Sequence, residues 1–508
     1  MPTITAPYGF VPLAETIVHP DWVQPRVVAE SPLAPPLHEL PFQDGVCGEL
    51  GFELVAETPI FSRGAGGDTS ESFSVFDRFA LPATAVRGWL RNLVEILSFA
   101  RLRQVNRHRY AVRDLHNRQL YGDHMAGIVR DPRTGKQEPM PLVNAGWLQK
   151  RASGEGYEIA VCDFAKIEYR LLQQAAETKQ IRQFQPGDKQ SSVRKYAAWG
   201  AASREVEVTV DFQRPMAVGT RTLLSEYGKV RSLGGQEVGT LVFTGQPTPY
   251  RPDPAGSRRR GNAKHHDFVF FSLEAPPVLP VSEEVFTDFE FGHSNRGQQG
   301  RLANAPNEEW GYWKPKLEAG KRVPVFFLTD DAGEALRAFG LAMMFRLACQ
   351  YDTRQAVEHA QGIPPHDRID FAEGLFGLVR SPHQTRGDRD QTTRRGAFAL
   401  KGRVDCSHFL GPEKGKCRPS DKVETVLGAP KASYYPNYVE QEPGRAGAPA
   451  PSDGAGNPNY TTWQDDGCRP RGWKRYRTMT GTWQPPQPRR ASGEAASQDV
   501  LTRFRPLP

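Results

Sequence analysis

Between residues 83 and 97 the apolar positions recur with the period of a helix. Trp89, Leu90, Leu93, Val94 and Leu97 share one face, while Arg87, Arg91 and Asn92 lie off it. The spacing predicts an amphipathic helix that opens at Ala83 or Thr84, directly after Pro82, with Trp89 in the core. Gly88 falls in the first turn, where glycine costs about 1 kcal/mol relative to alanine. Elsewhere the period drops to two. Leu50, Phe52, Leu54 and Ala56 alternate with polar neighbours over 48–61, and further strands are expected over 157–171, 205–212, 239–245, 267–273, 323–329 and 399–410. Helices are expected over 282–291 and 334–351, the latter with Leu336, Phe339, Gly340, Met343 and Leu347 along one face.

The stretches without a period divide the chain. Residues 1–43 are proline-rich and read as an arm over the surface; "SRGAGGDTSES" (62–72) reads as a flexible loop with an acid at its tip. "QPTPYRPDPAGSRRRGNAKHH" (246–266) reads as a basic connector, and 442–459 and 484–508 are rich in Pro, Gly and Ala. The expected organisation is an arm (1–43), a first unit (44–245), the connector, a second unit (267–483) and a tail (484–508). Strands and helices recur in both halves, which suggests two α+β units with antiparallel sheets rather than one long parallel sheet.

Charge adds a class of partner. The 508 residues carry a net charge of +7, concentrated in places. Residues 87–118 hold eight arginines against Glu95 and Asp114, and 380–403 hold six arginines and Lys401 against Asp388 and Asp390. Such blocks suit a phosphate backbone. Trp473-Lys474-Arg475-Tyr476 interleaves aromatic and basic side chains, a pattern that can stack bases while contacting phosphates. No apolar run approaches the roughly 20 residues needed to span a bilayer, so no membrane partner is expected. Six cysteines and no signal peptide at the start point to a reducing cytoplasm. Cys406, His408, Cys417 and Cys468 are the one candidate metal cluster, but without a CxxC pair free thiols are expected rather than structural zinc.

The order strand, glycine-rich loop, then Pro82-Ala83-Thr84-Ala85-Val86-Arg87-Gly88 resembles the motif that opens the first helix in the RAMP superfamily of CRISPR-associated proteins. Ala83 and Ala85 stand where that family more often has Gly and Ser. "PYGFVPL" (7–13), "PFQDGVCGELGFEL" (41–54), "RGWLRNLVEILSFARL" (87–102), "GLAMMFRLACQY" (340–351), "AEGLFGLV" (372–379), "LKGRV" (400–404), "LGAPKASYYPNYV" (427–439) and "RGWKRY" (471–476) resemble, in order, a subfamily associated with type III effectors. The resemblance implies two ferredoxin-like (RRM-like) units and a ribonucleoprotein in which the chain binds CRISPR guide RNA, complementary target RNA and other effector subunits. The RNA-binding candidates are Thr84, Arg87, Gly88, Arg91, Arg101, Arg103, Arg107, Arg403, Arg471, Trp473, Lys474, Arg475 and Tyr476. The resemblance also implies cleavage of target RNA through a loop aspartate and a divalent cation such as Mg²⁺, with Asp68 as the positional match and metal ligand and Asp77 as its competitor. A non-catalytic scaffold or cap subunit, guide processing by His108 or His116, and a general single-stranded RNA binder are the other readings.

Overall fold

The structure, a computed structural model, describes residues 8–23, 45–64, 71–105, 109–114, 117–130, 137–172, 192–199, 205–212, 217–218, 221–245, 266–294, 305–363, 368–380, 398–421, 423–425, 432–441, 460–476, 502–504 and 507. The fold is mixed α+β with mostly antiparallel sheets. Two compact units form. A split unit combines Met1–Arg107, Tyr351–Pro449 and Tyr460–Pro508, and a sheet unit combines His108–Gln350 with Ala450–Asn459.

The sheet unit is built on nine strands. Their order is Tyr227–Leu233, Glu205–Phe212, Glu237–Val242, His266–Ser272, Tyr157–Glu168, Asn144–Lys150, Val323–Thr329 and Leu336–Gly340, with Val278–Val281 also beside Tyr157–Glu168. The central strands of this sheet are covered on both faces, and the alternation of their side chains sorts them between two cores. Val323, Val325 and Phe327 point to a core shared with Phe289, Trp310, Trp313 and Tyr196 of the covering helices. Phe326 and Leu328 point to the opposite core with Tyr121, Met125 and Phe345. Within the first core side, Lys195 Nζ donates to Asp267 Oδ2 at 2.9 Å, to Tyr169 Oη at 2.7 Å and to the Thr244 carbonyl at 2.9 Å. Every donor of that buried ammonium is thereby used, and removing one partner of such a pair costs about 3–5 kcal/mol.

The expected boundary at 246–266 is corrected by this sheet. The strands on either side of it are neighbours, with Thr240 opposite Phe270 and Val242 opposite Phe268. A change in composition there marks an insertion between paired strands, and residues 246–265 lie outside the described residues. The helix expected over 334–351 is also corrected. Leu336–Gly340 is a strand with Phe339 opposite Phe327, and Leu347–Ala348 pairs with Ala111–Val112. Apolar residues stand at nearly every position of 338–349, so a strand period and a helix period cannot be told apart there. Gly340 fixes the turn that follows, since a Cβ there would lie 2.3 Å from Phe345 Cβ.

In the split unit a short hairpin, Ser74–Val75 with Arg78–Leu81, leads through Pro82 into the Ala83–Leu97 helix. Arg78–Leu81 also pairs with Phe409–Glu413. The strand expected over 399–410 is instead two short strands, Phe398–Leu400 and Phe409–Glu413. Thr353–Gln361 and Phe371–Phe376 are helices that each open on a capping box, Asp352 with Gln355 and Asp370 with Glu373. The alternation at 48–56 forms no strand, and Leu50, Phe52 and Leu54 are exposed. The proline-rich arm, in turn, contains a strand: Tyr8–Val11 pairs antiparallel with Trp473–Tyr476. This ribbon needs Gly472 at φ 129°, because a Cβ there would meet the Val11 carbonyl oxygen.

Candidate nucleic-acid interface

The Ala83–Leu97 helix turns an unexpected face outward. Thr84, Ala85, Gly88 and Trp89 are exposed, and Trp89 at 45% exposure is not the core residue the periodicity predicts. A Cβ on Gly88 would meet nothing within 4 Å among the described residues, so the glycine leaves bare backbone at the surface there. Asn92 continues this row one turn on, and its Oδ1 accepts from Arg475 Nη1 at 2.7 Å. That contact attaches the ribbon to the helix. On the ribbon, Lys474 Nζ lies 3.9 Å from the centroid of the Tyr8 ring and 5.1 Å from that of Tyr476. Tyr8 and Tyr476 pack edge to face at 5.8 Å, Tyr476 is exposed, and Trp473 is half-buried opposite Val11. The result is one surface of bare backbone, an indole, a phenol and two cations. Trp89, Asn92 and Tyr8 belong to it although the charge pattern singles out none of them.

Most of the candidate arginines do other work. Arg87 donates through Nη2 to the Phe376 carbonyl at 2.6 Å and through Nε to the Val404 carbonyl at 3.3 Å. Arg91 pairs with Glu95 at 2.9 Å and donates to the Gly377 carbonyl at 3.1 Å. Arg101 is buried and caps the end of the Thr353–Gln361 helix, donating to the Gln361 and Gly362 carbonyls at 2.9 and 2.6 Å. Burial, with Arg103 next to it, lowers the proton affinity of Arg101. Arg103 pairs with Glu373 at 2.9 Å and donates to the Arg368 carbonyl at 2.9 Å. These four therefore hold the split unit together, with carbonyls at helix ends as acceptors. Arg471 packs against Asn437 at 3.5 Å, and exposed Arg403 lies 5.5 Å from the Trp22 ring centroid.

The helix start is already capped from within. His408 Nδ1 accepts from the Ala83 N–H at 3.0 Å, and this side-chain nitrogen takes up one of the free donors of the first turn. Phe73 packs on the same imidazole at 5.5 Å. Among the described residues no group of three or more His, Cys, Asp or Glu side chains is arranged to hold a metal ion. Cys468 is buried, and burial together with Asp465 and Asp466 pushes its thiol up to about 12.

Asp77 lies at the tip of the 74–81 hairpin. Phe76 and Asp77 take consecutive positive φ values of 50° and 58°, a turn that aspartate tolerates and phenylalanine does not favour. Phe76 is 87% exposed there, beside the start of the helix in sequence. The Asp77 carbonyl accepts from the Lys414 N–H at 3.0 Å. The stem of the 62–72 loop is closed by a bridge between Arg63 and Ser72. Asp68 at its tip, and Arg107, His108 and His116, lie outside the described residues. No helix of the described residues is long and apolar enough to cross a membrane. No protein-family model matches this chain, and no curated protein matches it in sequence.

Proposed function

We propose that the chain is a RAMP-type CRISPR-associated subunit of a type III effector and that it binds the backbone of a guide RNA. One observation carries the location: the exposed row Ala85, Gly88 and Trp89 on the helix continues through Asn92 to Arg475 and the Lys474–Tyr476 ribbon. Gly88 lets a sugar-phosphate chain approach the helix, Trp89 and Tyr476 offer stacking faces, and Lys474 and Arg475 supply charge. None of these groups reads a base edge in a fixed pattern, which suits a protein that leaves sequence choice to base pairing. The two expected ferredoxin-like units belong to this proposal rather than to the observed sheet order.

Target cleavage through Asp68 and a divalent cation is the enzymatic extension of the same proposal. Asp77, the alternative, is a single carboxylate with no further His, Cys, Asp or Glu group arranged around it among the described residues. The test of the binding surface is ultraviolet crosslinking of the RNA-loaded protein followed by peptide mapping. Crosslinks on the peptides that contain Trp89 and Trp473–Tyr476 support the assignment. Crosslinks confined to other peptides overturn it.

A further inference from the structure

A second arrangement of charge occurs in the sheet unit, on a strand pair that takes no part in the helix-and-ribbon surface. Leu347 pairs with Val112 and Ala348 with Ala111. Beyond them the Cys349 N–H donates to the Tyr110 carbonyl at 2.7 Å. One step in the other direction, the same register sets Arg346 opposite Arg113. Arg113 and Arg346 are the first residues past the ends of the two strands; extended by one step, the alternation of an antiparallel ladder gives them a non-hydrogen-bonded position, where side chains lie closest.

Both arginines are exposed, and neither has a hydrogen bond or an ion pair among the described residues. Like charges directly opposite each other are destabilising in a strand pair. Neighbouring arginines avoid that state by pairing with acids: Arg109 with Glu284 and, at 3.5 Å, with Asp288; Arg118 with Asp123 at 3.1 Å; Arg221 with Asp331 at 3.5 Å. The Arg346 side chain is exposed at the surface but shielded along part of its length; that partial desolvation and then the nearby Arg113 act against its charged form, and the opposing influence comes from Tyr121. The Tyr121 hydroxyl is itself committed, donating to the Phe345 carbonyl at 2.6 Å. The two guanidinium groups are thus near enough to repel, and neither has an ion pair among the described residues.

We propose that Arg113 and Arg346 clamp one phosphate group of a nucleic-acid strand. Two planar forks converging on one tetrahedral oxyanion match the geometry of guanidinium–phosphate recognition, and the anion relieves the repulsion between the forks. The site uses none of the residues of the helix-and-ribbon surface and stands independently of the function proposed for it.

The experiment is a salt titration of full-length protein binding to a single-stranded RNA oligonucleotide of random sequence. Arg113→Gln with Arg346→Gln is expected to weaken binding about tenfold, equivalent to about 1.4 kcal/mol. The slope of log affinity against log salt should fall by about 0.7, the loss of one phosphate contact. The melting temperature of the free protein should stay level or rise, because the repulsion is removed. Arg113→Lys with Arg346→Lys should keep the slope while losing part of the affinity. Unchanged affinity and slope in the folded Gln variant overturn the proposal, as does a clear fall in its melting temperature, which marks the pair as structural. Inorganic phosphate is the second arm: stabilisation of wild type but not of the Gln variant, with RNA binding unaltered in both, overturns the assignment to a nucleic acid. Because the readout depends on these two arginines alone, it holds or fails separately from crosslinking at Trp89 and Tyr476.

Discussion

Arg475 donates to Asn92 across 2.7 Å and joins two residues 383 positions apart in sequence. The ribbon of Tyr8–Val11 and Trp473–Tyr476 is thereby set against the exposed row of the Ala83–Leu97 helix. Replacing Arg475 by Met removes both the tie and a cation. The cost in stability should be about 1 kcal/mol, that of a single partly exposed hydrogen bond. RNA affinity should drop further than this change in folding explains, and Arg475→Lys should restore part of it by returning the charge. Equal RNA affinity in wild type and Arg475→Met, measured by fluorescence anisotropy, would show that the ribbon is not part of the interface.

Arg87 makes the opposite prediction. Its guanidinium is used by the Phe376 and Val404 carbonyls and lies 5.6 Å from the centroid of the Phe376 ring. Gly402 leaves it room, since a Cβ there would come within 2.7 Å of Arg87 Nη2. Arg87→Ala should lower stability by about 2–3 kcal/mol in urea unfolding, because the carbonyls lose charge-assisted donors. The folded fraction should bind RNA with an unaltered salt slope. A reduced slope with an unchanged urea midpoint would return Arg87 to the phosphate-contacting residues.

The contrast between these two arginines shows what the sequence could and could not disclose. Periodicity located the Ala83–Leu97 helix and most strands of the large sheet, because their apolar positions repeat along one face or run through a doubly covered strand. It misread 334–351, where a turn after Gly340 separates two short strands and apolar residues at nearly every position hide the two-residue period. It misread 246–266 for a related reason: strand pairing joins residues across an insertion that composition alone treats as an edge. For the proposed interface, residue type pointed to the Ala83–Leu97 helix and the Trp473–Tyr476 ribbon, but not to which arginines face inward. Arg87 and Arg101 look like phosphate ligands until the carbonyls of Phe376, Gln361 and Gly362 are placed beside them, and those come from more than 250 residues away. Trp89 erred the other way, since an apolar face predicts burial and the indole is instead 45% exposed.

The buried thiol of Cys468 gives a pH prediction. The usual cysteine value near 9.0 applies to the unfolded chain, and the folded thiol is pushed up to about 12. The unfolded state therefore releases its proton first as pH rises, so this contribution to stability is complete below about pH 9 and is lost progressively towards pH 12. The urea midpoint of wild type should fall more steeply than that of Cys468→Ala across this window. In native protein, iodoacetamide should label exposed Cys47 well before buried Cys162, Cys349 and Cys468. Early labelling of Cys468, or parallel pH profiles for the two proteins, would contradict the burial.

For cleavage, Asp68→Ala in the reconstituted complex should abolish metal-dependent cutting of guide-complementary RNA and leave guide binding nearly unchanged. Removing one carboxylate from the glycine-rich segment should cost folding less than about 0.5 kcal/mol, so lost cutting with retained guide binding reads as lost chemistry. Products of the wild-type complex should carry 2′,3′-cyclic phosphate ends if the RNA hydroxyl is the nucleophile. Cutting that survives Asp68→Ala and disappears in Asp77→Ala would move the site to the hairpin tip. A wild-type complex that never cuts would mark the chain as a scaffold or cap subunit.

Sequencing of the RNA that copurifies with the protein, expressed together with a CRISPR array and its effector subunits, tests the central claim most directly. The account predicts guide RNAs carrying the same repeat-derived tag, depleted when Trp89 and Tyr476 are both replaced by Ala. Random cellular RNA, or tagged guides retained in full by that double variant, would contradict it.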